Sequence, residues 1–445
     1  MKKKKRRLKR TVKRISLFVL LFVIVGVGLF FKKIPFVAAL LNQTSEQQEA
    51  IIPSEQVSFE QATQNQPTAV DAKQVGILDY QNDLYIRNLS DAQKQVAQTL
   101  VDGMKAGESE IELNQPIQLD EISELYQRLK LADPELFFLA DQQNYEYSPL
   151  TQEVKVFHPN YIEYDDGLTI PQRIEQLRQL RNSIIQDWHG RGEYECSVLM
   201  NDYLVDTITY QPQAAHEHNL YGALVERQAV CDGYALAYKY LADGLGMDCV
   251  VITGSAYEDK AGYQQGMSQL QSLNAQQIMQ WDSGYRHAWN AIQIDGHWYY
   301  TDVTYNDPVS LDHDEQADFS GLKEAFTNLT WQDMMQLRSA EVSLLLAPDL
   351  PQENVLDANV FYRNGLVIQT ENQARDWLWM ELNDHSSRWV NIKVVDPAVF
   401  ERMQEIASEV LNEYALYDDS LNWDTLQSVK QDQTGVFAIY LDWNE

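Results

Sequence analysis

The sequence has few cysteines, three in 445 residues, and this scarcity excludes a disulfide-built architecture. A single Cys196–Cys249 bridge remains an alternative, and it would leave Cys231 free. The chain also lacks a phosphate-binding glycine motif and a nicotinamide or flavin fingerprint, so we expect no cofactor. We expect no metal either, because His216 and His218 have no companion His or Cys motif.

Positive charge is scarce beyond the first 33 residues. That stretch holds 12 of the 35 Lys and Arg residues and no acid, which leaves 23 bases against 65 acids in the rest, a net charge of −42. Because so acidic a body repels a phosphate backbone, we exclude a nucleic-acid binder. The hydrophobic content of 44%, with 24 Tyr and 10 Trp, excludes a disordered chain.

One long apolar run occurs at the start of the chain, ISLFVLLFVIVGVGLFF at 15–31. It is slightly shorter than the ~20 residues that span a bilayer, but flanking Arg14 and Lys32–Lys33 can snorkel to the interfaces. The stronger positive flank is N-terminal, which predicts a cytoplasmic N-terminus and an extracellular main body at the cell membrane. A cleavable signal peptide ending near Val37-Ala38-Ala39 is the alternative.

Composition and periodicity divide the chain into segments. Residues 42–75 are rich in Gln, Ser, Thr and Glu, which is typical of a flexible stalk. Two stretches share the order helix, strand, helix, strand, and they predict similar α+β modules on either side of the centre. In the first, we expect strands at FFLA (137–140) and EVKVF (153–157). The predicted segments are a cytoplasmic basic segment (1–14), a transmembrane anchor (15–33), a stalk (34–77), an N-terminal module (78–165), a core (166–308), a linker (309–352) and a C-terminal module (353–445).

Three short segments of the core carry a thiol, an imidazole and a carboxylate, the parts of a cysteine acyl-transfer site. They are AVCDGYA with Cys231, RHAWN with His287 and WYYTDVT with Asp302. A helical period starts just after Cys231, and a helix N-terminus favours the thiolate and can hold an oxyanion. Cys249 lies in a β-branched run, which predicts a buried strand and a structural role.

A hairpin register tests which histidine belongs with the carboxylate. Asp295-Gly296 between two alternating runs predicts a two-residue turn. Trp289 then pairs with Asp302, and His287 becomes a diagonal neighbour of Asp302 on the same face, with Cβ atoms ~7–8 Å apart. His297 points to the opposite face.

The residues suggest distinct roles at this predicted site. We predict that His287 keeps Cys231 as a thiolate and later protonates the leaving amine. Asp302 fixes the tautomer of the imidazole and stabilises its charged form.

These motifs, together with Tyr221-Gly222-Ala223-Leu224, resemble the core of the transglutaminase-like superfamily over about 200–308. The resemblance implies an α+β, papain-like fold in which a helix bearing the cysteine packs on an antiparallel sheet bearing His and Asp. It also implies a thioester intermediate, in a family of cross-linking enzymes, peptidases, amidases and inactive members. Asp133-Pro134-Glu135-Leu136-Phe137-Phe138 resembles a segment that precedes such cores in bacterial members.

The expected function is therefore a membrane-anchored, extracellular, cysteine-dependent acyl transfer on amide bonds. Its substrates would be peptides or proteins, with cell-wall peptide the natural candidate at a bacterial surface. Hydrolysis is preferred over transamidation, and a catalytically silent binding or scaffolding module is the alternative. The insertion at 257–284 predicts a helix that serves as a lid or packs plainly on the core.

Overall fold

The computed structural model describes residues 83–281, 283–307 and 320–444. The predicted cytoplasmic segment, transmembrane anchor and stalk lie outside these residues. Within the described ranges, no helix combines the length and the apolar character that crossing a membrane requires.

The first module consists of two helices and a three-stranded antiparallel sheet. Its helices are α1 (Asp91–Ala106) and α2 (Leu119–Ala132), and its strands are β1 (Ile111–Gln118), β2 (Asn144–Tyr147) and β3 (Glu153–His158). The strand order is β1-β3-β2. The predicted strand at FFLA is wrong: a 3-10 turn at Pro134–Leu136 precedes these residues, Leu139 forms an isolated bridge with Tyr161, and β2 starts a few residues later.

A capping motif fixes the start of α1. The Ser90 side chain accepts a hydrogen bond from the Gln93 N–H, and Gln93 Oε1 accepts one from the Ser90 N–H, so that two N–H groups at the helix start are satisfied. The apolar face of the helix, with Leu100 and Met104, is fully buried.

Three helices and a short parallel pair of strands build the helical side of the centre. The helices are α3 (Ile170–Ile185), α4 (Glu193–Thr207) and α5 (Cys231–Leu245), and the strands are β4 (Thr209–Tyr210) and β5 (Gln228–Ala229). Helix α5 ends at Gly246, which has a left-handed φ of 75°. Tyr234, Tyr238 and Leu241 of α5 are completely buried.

A four-stranded antiparallel sheet forms the other side, in the order β8-β7-β6-β9. Its strands are β6 (Cys249–Ala256), β7 (Arg286–Ile294), β8 (His297–Thr301) and β9 (Arg338–Ser339). Helix α5 packs on β6 and β7. The expected arrangement of a cysteine-bearing helix on an antiparallel sheet is therefore present.

The predicted hairpin register is confirmed. Asp295 and Gly296 have φ of 51° and 87°, as a tight turn with two left-handed residues requires, and Ile294 pairs with His297. The ladder stops at the pair Asn290–Thr301. The predicted pairing of Trp289 with Asp302 is not formed, because β8 ends and a short helix α8 (Val303–Asn306) begins with Asp302 as its N-cap.

The insertion between β6 and β7 forms two helices, α6 (Lys260–Leu270) and α7 (Ala275–Gln280). Met267, Leu270 and Ile278 are buried, so these helices pack on the core in this structure. Of the two roles expected for the insertion, the packed helix is the arrangement observed.

The chain from residue 320 returns to the central sheet. Helices α9 (Trp331–Met334), α10 (Glu341–Leu346) and α11 (Val360–Arg363) are short, and β9 between them pairs with the end of β6. Leu329, Met334 and Leu344 belong to the same hydrophobic core as α5 and the first module. Residues 308–319 lie outside the described ranges.

The C-terminal module has a second hydrophobic core. Its elements are β10 (Val367–Ile368), α12 (Glu371–Leu382), β11 (Arg388–Val394), α13 (Pro397–Tyr414), β12 (Gln427–Gln431) and β13 (Val436–Leu441). Its strand order is β10-β11-β13-β12. Apart from β10, the module repeats the first one: helix, strand, helix and hairpin, with the last strand in the middle of an antiparallel sheet.

Candidate active site

Cys231 is the first residue of helix α5, as its motif predicts. The N-cap residue Val230 offers no side-chain oxygen, so the first-turn N–H groups have no side-chain cap. Gly233 lets the preceding chain approach closely, since a Cβ there would lie 2.7 Å from the Ala229 Cβ and 2.8 Å from the Glu217 carbonyl oxygen. The Cys-Asp-Gly sequence thus presents a thiol at an uncapped helix end.

Asn290 of the RHAWN motif ties the cysteine helix to the histidine strand. Its Nδ2 donates a 2.9 Å hydrogen bond to the Ala235 carbonyl, one turn after Cys231, and the residue is fully buried. A buried amide with a backbone partner fixes the relative position of two elements more tightly than apolar packing alone. This contact was not anticipated from the sequence.

The thiol of Cys231 sits where strand β8 ends. Backbone groups of Asn290, Ile292 and Ile294 point toward β8 because hydrogen-bonded positions alternate along an antiparallel pair. Ala288 is the next residue in that series, but β8 stops before reaching it. Its N–H donates to Cys231 Sγ instead, which places the thiol beside the residue that follows His287.

The environment of Cys231 favours the neutral thiol. Burial raises its pKa well above the ordinary range and the negative charge of Asp232 adds to this, while the N–H groups of Ala288 and Asp232 oppose it. The backbone N–H groups favour the thiolate, in the direction the sequence predicts, but desolvation outweighs them. A thiolate at this position requires a nearby proton acceptor.

His287 and Asp302 meet as predicted, on one side of the sheet. His287 Nε2 lies 2.8 Å from Asp302 Oδ2, and Asp302 is completely buried. The imidazole packs against Trp289, with ring centroids 6.0 Å apart, and against the edge of Tyr305 at 5.1 Å. With Nε2 engaged by the carboxylate, Nδ1 is the nitrogen that can exchange a proton with a thiol.

Asp302 is held ionised by several contacts. Its Oδ1 accepts the Tyr305 N–H at 3.2 Å, and its Oδ2 accepts from both His287 and Arg338. Burial alone would raise the pKa of Asp302, but the interactions with His287 and Arg338 outweigh it and the pKa lies below the ordinary 3.8.

Arg338 is the residue that the sequence did not reveal. It lies on β9, is 2% exposed, and its Nη2 is 2.8 Å from Asp302 Oδ2. Its guanidinium lies over the rings of Tyr305 and Phe326, at 4.4 and 4.8 Å from their centroids. No motif surrounds Arg338, and the contact joins residues 36 positions apart through a two-residue strand.

The remaining candidate residues fall outside this constellation. Cys196 and Cys249 are buried and all three cysteines are free, so the alternative disulfide is absent. His297 pairs with Glu353 at the exposed end of the hairpin. His216 contacts Glu226 and stacks on Tyr164.

His218 lies beside the candidate nucleophile rather than at a metal site. Its Nδ1 is 2.9 Å from Asp232, and its Nε2 is 3.1 Å from Glu217. The hydrogen bond to Asp232 and the neighbouring carboxylates raise the pKa of His218. Within the ranges the structure describes, no cluster of three or more His, Cys, Asp or Glu side chains is suited to a metal ion. The acidic sequence at 312–315 lies outside those ranges.

The central segment belongs to a known class. Residues 188–303 match the family model of the transglutaminase-like superfamily, and they contain Cys231, His287 and Asp302. This segment is therefore a transglutaminase-like domain.

A curated protein is also similar over part of the chain. Kyphoscoliosis peptidase of Mus musculus is 26% identical over 134 residues, which is 29% of this chain and 18% of the mouse protein. The match thus spans a small part of that relative.

Two solved structures are also similar. A candidate cysteine protease from Cytophaga hutchinsonii is 18% identical over 30% of this chain and 39% of its own, with a TM-score of 0.22. A protein described as a TGase is 13% identical over 47% of this chain and 53% of its own, with a TM-score of 0.23. Overlaps of this size carry no argument about activity.

Proposed function

We propose that this protein is a cysteine-dependent acyl-transfer enzyme that acts on amide bonds of peptides or proteins through a thioester. One observation carries the proposal: Asp302 orients His287, while the thiol of Cys231 accepts the N–H of the adjacent Ala288. A thiol, a base and an orienting carboxylate within one transglutaminase-like domain are the parts that this chemistry needs.

The contacts support the following first half of the reaction. The thiol proton passes to His287 Nδ1 as sulfur attacks the substrate carbonyl carbon, and the negative charge moves to the carbonyl oxygen. The uncapped N–H groups at the start of α5 can stabilise that oxyanion. His287 then gives the proton to the leaving nitrogen, the C–N bond breaks, and a Cys231 thioester and a free amine or ammonia result.

The second half decides the reaction type. Water or an amine loses a proton to His287, attacks the thioester carbon and displaces the Cys231 sulfur, which regains a proton. Water gives a peptidase or amidase, and an amine gives a transglutaminase. We favour hydrolysis because water is always present.

The cellular setting of the proposal comes from the sequence. The apolar run at 15–31, with its strongly basic N-terminal flank, supports a membrane anchor with the main body outside the cell. Cell-wall peptide or surface protein is the substrate class that fits such a location. The acidic body would be held near that substrate by the segment at 34–77.

The test uses the full-length chain in detergent and its Cys231→Ala variant. Glutamine peptides and peptide mixtures are assayed for ammonia release, amine incorporation and peptide-bond cleavage. Wild-type activity that Cys231→Ala abolishes is the expected result, and its product identifies the reaction. Equal product formation by both proteins would rule out the thioester route, and no product from either protein would favour the silent binding module.

A further inference from the structure

We propose that Arg338 is a positioning residue of this site, which shares Asp302 with His287 and links the imidazole to Gln433 of the C-terminal module. The inference rests on the proposed function, because it concerns the proton exchange between Cys231 and His287. Neither Arg338 nor Gln433 lies in the 188–303 segment that defines the domain.

Arg338 and His287 converge on a single oxygen atom. Each lies 2.8 Å from Asp302 Oδ2, one as a guanidinium and the other as an imidazole. A carboxylate that is already paired with a fixed cation stabilises a second cation less. Arg338 therefore competes with the imidazole for this oxygen and reduces what Asp302 can contribute to a thiolate–imidazolium pair.

The burial of Arg338 argues against a purely structural role. It is 2% exposed, and within the described part of the chain its Nε has no hydrogen-bond partner. Buried ion pairs contribute little net stability compared with apolar groups of the same volume. A buried arginine that pairs with the carboxylate orienting the base fits a role in controlling the reactivity of the site.

Gln433 connects this charge to the C-terminal module. It lies in the turn between β12 and β13, and its Oε1 accepts a 2.9 Å hydrogen bond from Arg338 Nη1. Two successive hydrogen bonds thus join a partly exposed turn of one module to the fully buried Asp302 of another.

Other ionisable groups near His287 also affect the proton exchange with the thiol. Tyr305 contacts the imidazole edge, Cys231 interacts electrostatically with Asp302, and Glu258 interacts with Tyr305. Besides Asp302 and Tyr305 at α8, which contact His287 directly, these interactions bring in Cys231 from α5, Glu258 after β6 and Arg338 from β9.

The pH dependence of iodoacetamide labelling at Cys231, read by mass spectrometry on the full-length chain, tests the inference. Arg338→Gln frees Asp302 to stabilise the imidazolium, so the labelling midpoint should move to lower pH by about one unit, a tenfold change in thiolate at a given pH. Arg338→Lys keeps the charge and should restore the midpoint toward the wild-type value.

Gln433→Glu provides a second, milder variant if Arg338→Gln does not fold. The new carboxylate would pair with Arg338 and weaken its hold on Asp302, so the midpoint should shift in the same direction. Gln427→Glu, at an exposed position of β12, adds the same charge away from Arg338 and should leave the midpoint unchanged.

The outcomes separate this inference from the proposed function. If Arg338→Gln or, failing that, Gln433→Glu lowers thermal stability without moving the midpoint, Arg338 is only a structural cross-link and the inference is overturned. If His287→Ala leaves wild-type labelling unchanged, the proposed Cys231–His287 proton exchange itself fails.

Discussion

The carbonyl oxygen of Ser339 occupies the space that a side chain on Gly254 would fill. Gly254 pairs with His287 across β6 and β7, and Ser339 follows Arg338 on β9. The missing side chain therefore lets β9 bring Arg338 up to the site. Gly254 lies on β6, between the strand of the base and the strand of the arginine.

Gly254→Ala should push β9 away from the sheet. We expect a loss of about 1–3 kcal/mol in the free energy of unfolding, the usual cost of overpacking, together with reduced activity. Urea unfolding measures the stability. Gly262→Ala in α6 is the control, since its Cβ would lie 3.4 Å from Asp259 Oδ1, an ordinary contact, and alanine suits a helix. Equal stability of the two variants would contradict the close approach.

His287→Ala should move the reactivity of Cys231 to high pH. Because burial and Asp232 raise the pKa of this thiol, labelling without the base should need a pH above ~8.5, the value of an unperturbed thiol. Mass spectrometry of iodoacetamide adducts between pH 5 and 10 measures the midpoint. Buried Cys196 and Cys249 serve as internal controls that stay unlabelled in the folded chain. A midpoint at or below that of a free thiol would contradict the raised pKa.

Asp232→Asn should have the opposite effect. The carboxylate next to Cys231 raises the pKa of the thiol, so its removal should lower that pKa and shift labelling to lower pH. The same shift should appear in the His287→Ala background, because Asp232 acts on the thiol directly. Glu405→Gln, an exposed change on α13, controls for altered net charge. An unchanged midpoint would show that burial alone sets the pKa.

Asp302→Asn should remove activity and also weaken the fold. We expect kcat to fall by roughly 10²- to 10⁴-fold, as when an orienting carboxylate is neutralised in a comparable triad. The variant leaves Arg338 buried without a counter-charge, which costs about 3–5 kcal/mol. Adding Arg338→Gln should restore stability but not activity. If the double variant is as unstable as Asp302→Asn, the buried charge is not the cause.

Glu135→Gln should weaken the packing of the first module on the centre and lower the free energy of unfolding. Glu135 is buried and pairs with Lys105 at 2.8 Å and Arg178 at 2.7 Å. The change leaves Arg178 without this carboxylate and Lys105 with Asp133, at a cost of up to about 3–5 kcal/mol. Although burial raises the pKa of Glu135, Arg178 and Lys105 outweigh it and the pKa lies below 4.5.

The pH dependence of this effect has a defined sign. A carboxylate with a lowered pKa stabilises the fold above its ordinary pKa and loses that contribution as the pH falls through the folded value. Wild type should therefore exceed Glu135→Gln in urea resistance above about pH 4.5 and converge with it at lower pH. A difference that persists unchanged at pH 2 would exclude the ion pairs as its source. Glu405→Gln should match wild type throughout.

The hairpin and its turn could be predicted because their signals are local. Asp295-Gly296 determines the turn, and the turn determines which side chains of the next few residues share a face. Cys249 was correctly placed in the core by its β-branched neighbours. The site residues Cys231, His287 and Asp302 were found because each lies in a recognisable motif, although their catalytic roles remain predictions.

Features that depend on tertiary contacts could not be predicted from the sequence. Arg338 reaches Asp302 only because Gly254 admits β9, and nothing near Arg338 in the chain indicates that approach. The extent to which burial opposes a Cys231 thiolate could not be predicted for a related reason, since it depends on how the surrounding elements pack. The shared order of helices and strands within the two flanking modules was predicted from the sequence. Their shared arrangement of strands in the sheet was apparent only from the structure.

The first module and the C-terminal module contact opposite sides of the proposed active site. In the first, Glu135 accepts a 3.4 Å hydrogen bond from Tyr240 on the cysteine helix, and in the last, Gln433 accepts one from Arg338 on the histidine side. Both flanking modules therefore support the relative position of the thiol and the imidazole. On gradual heating, we expect turnover to disappear while the central tryptophan signals still report an intact interior, so that catalysis is the most fragile property of the folded chain.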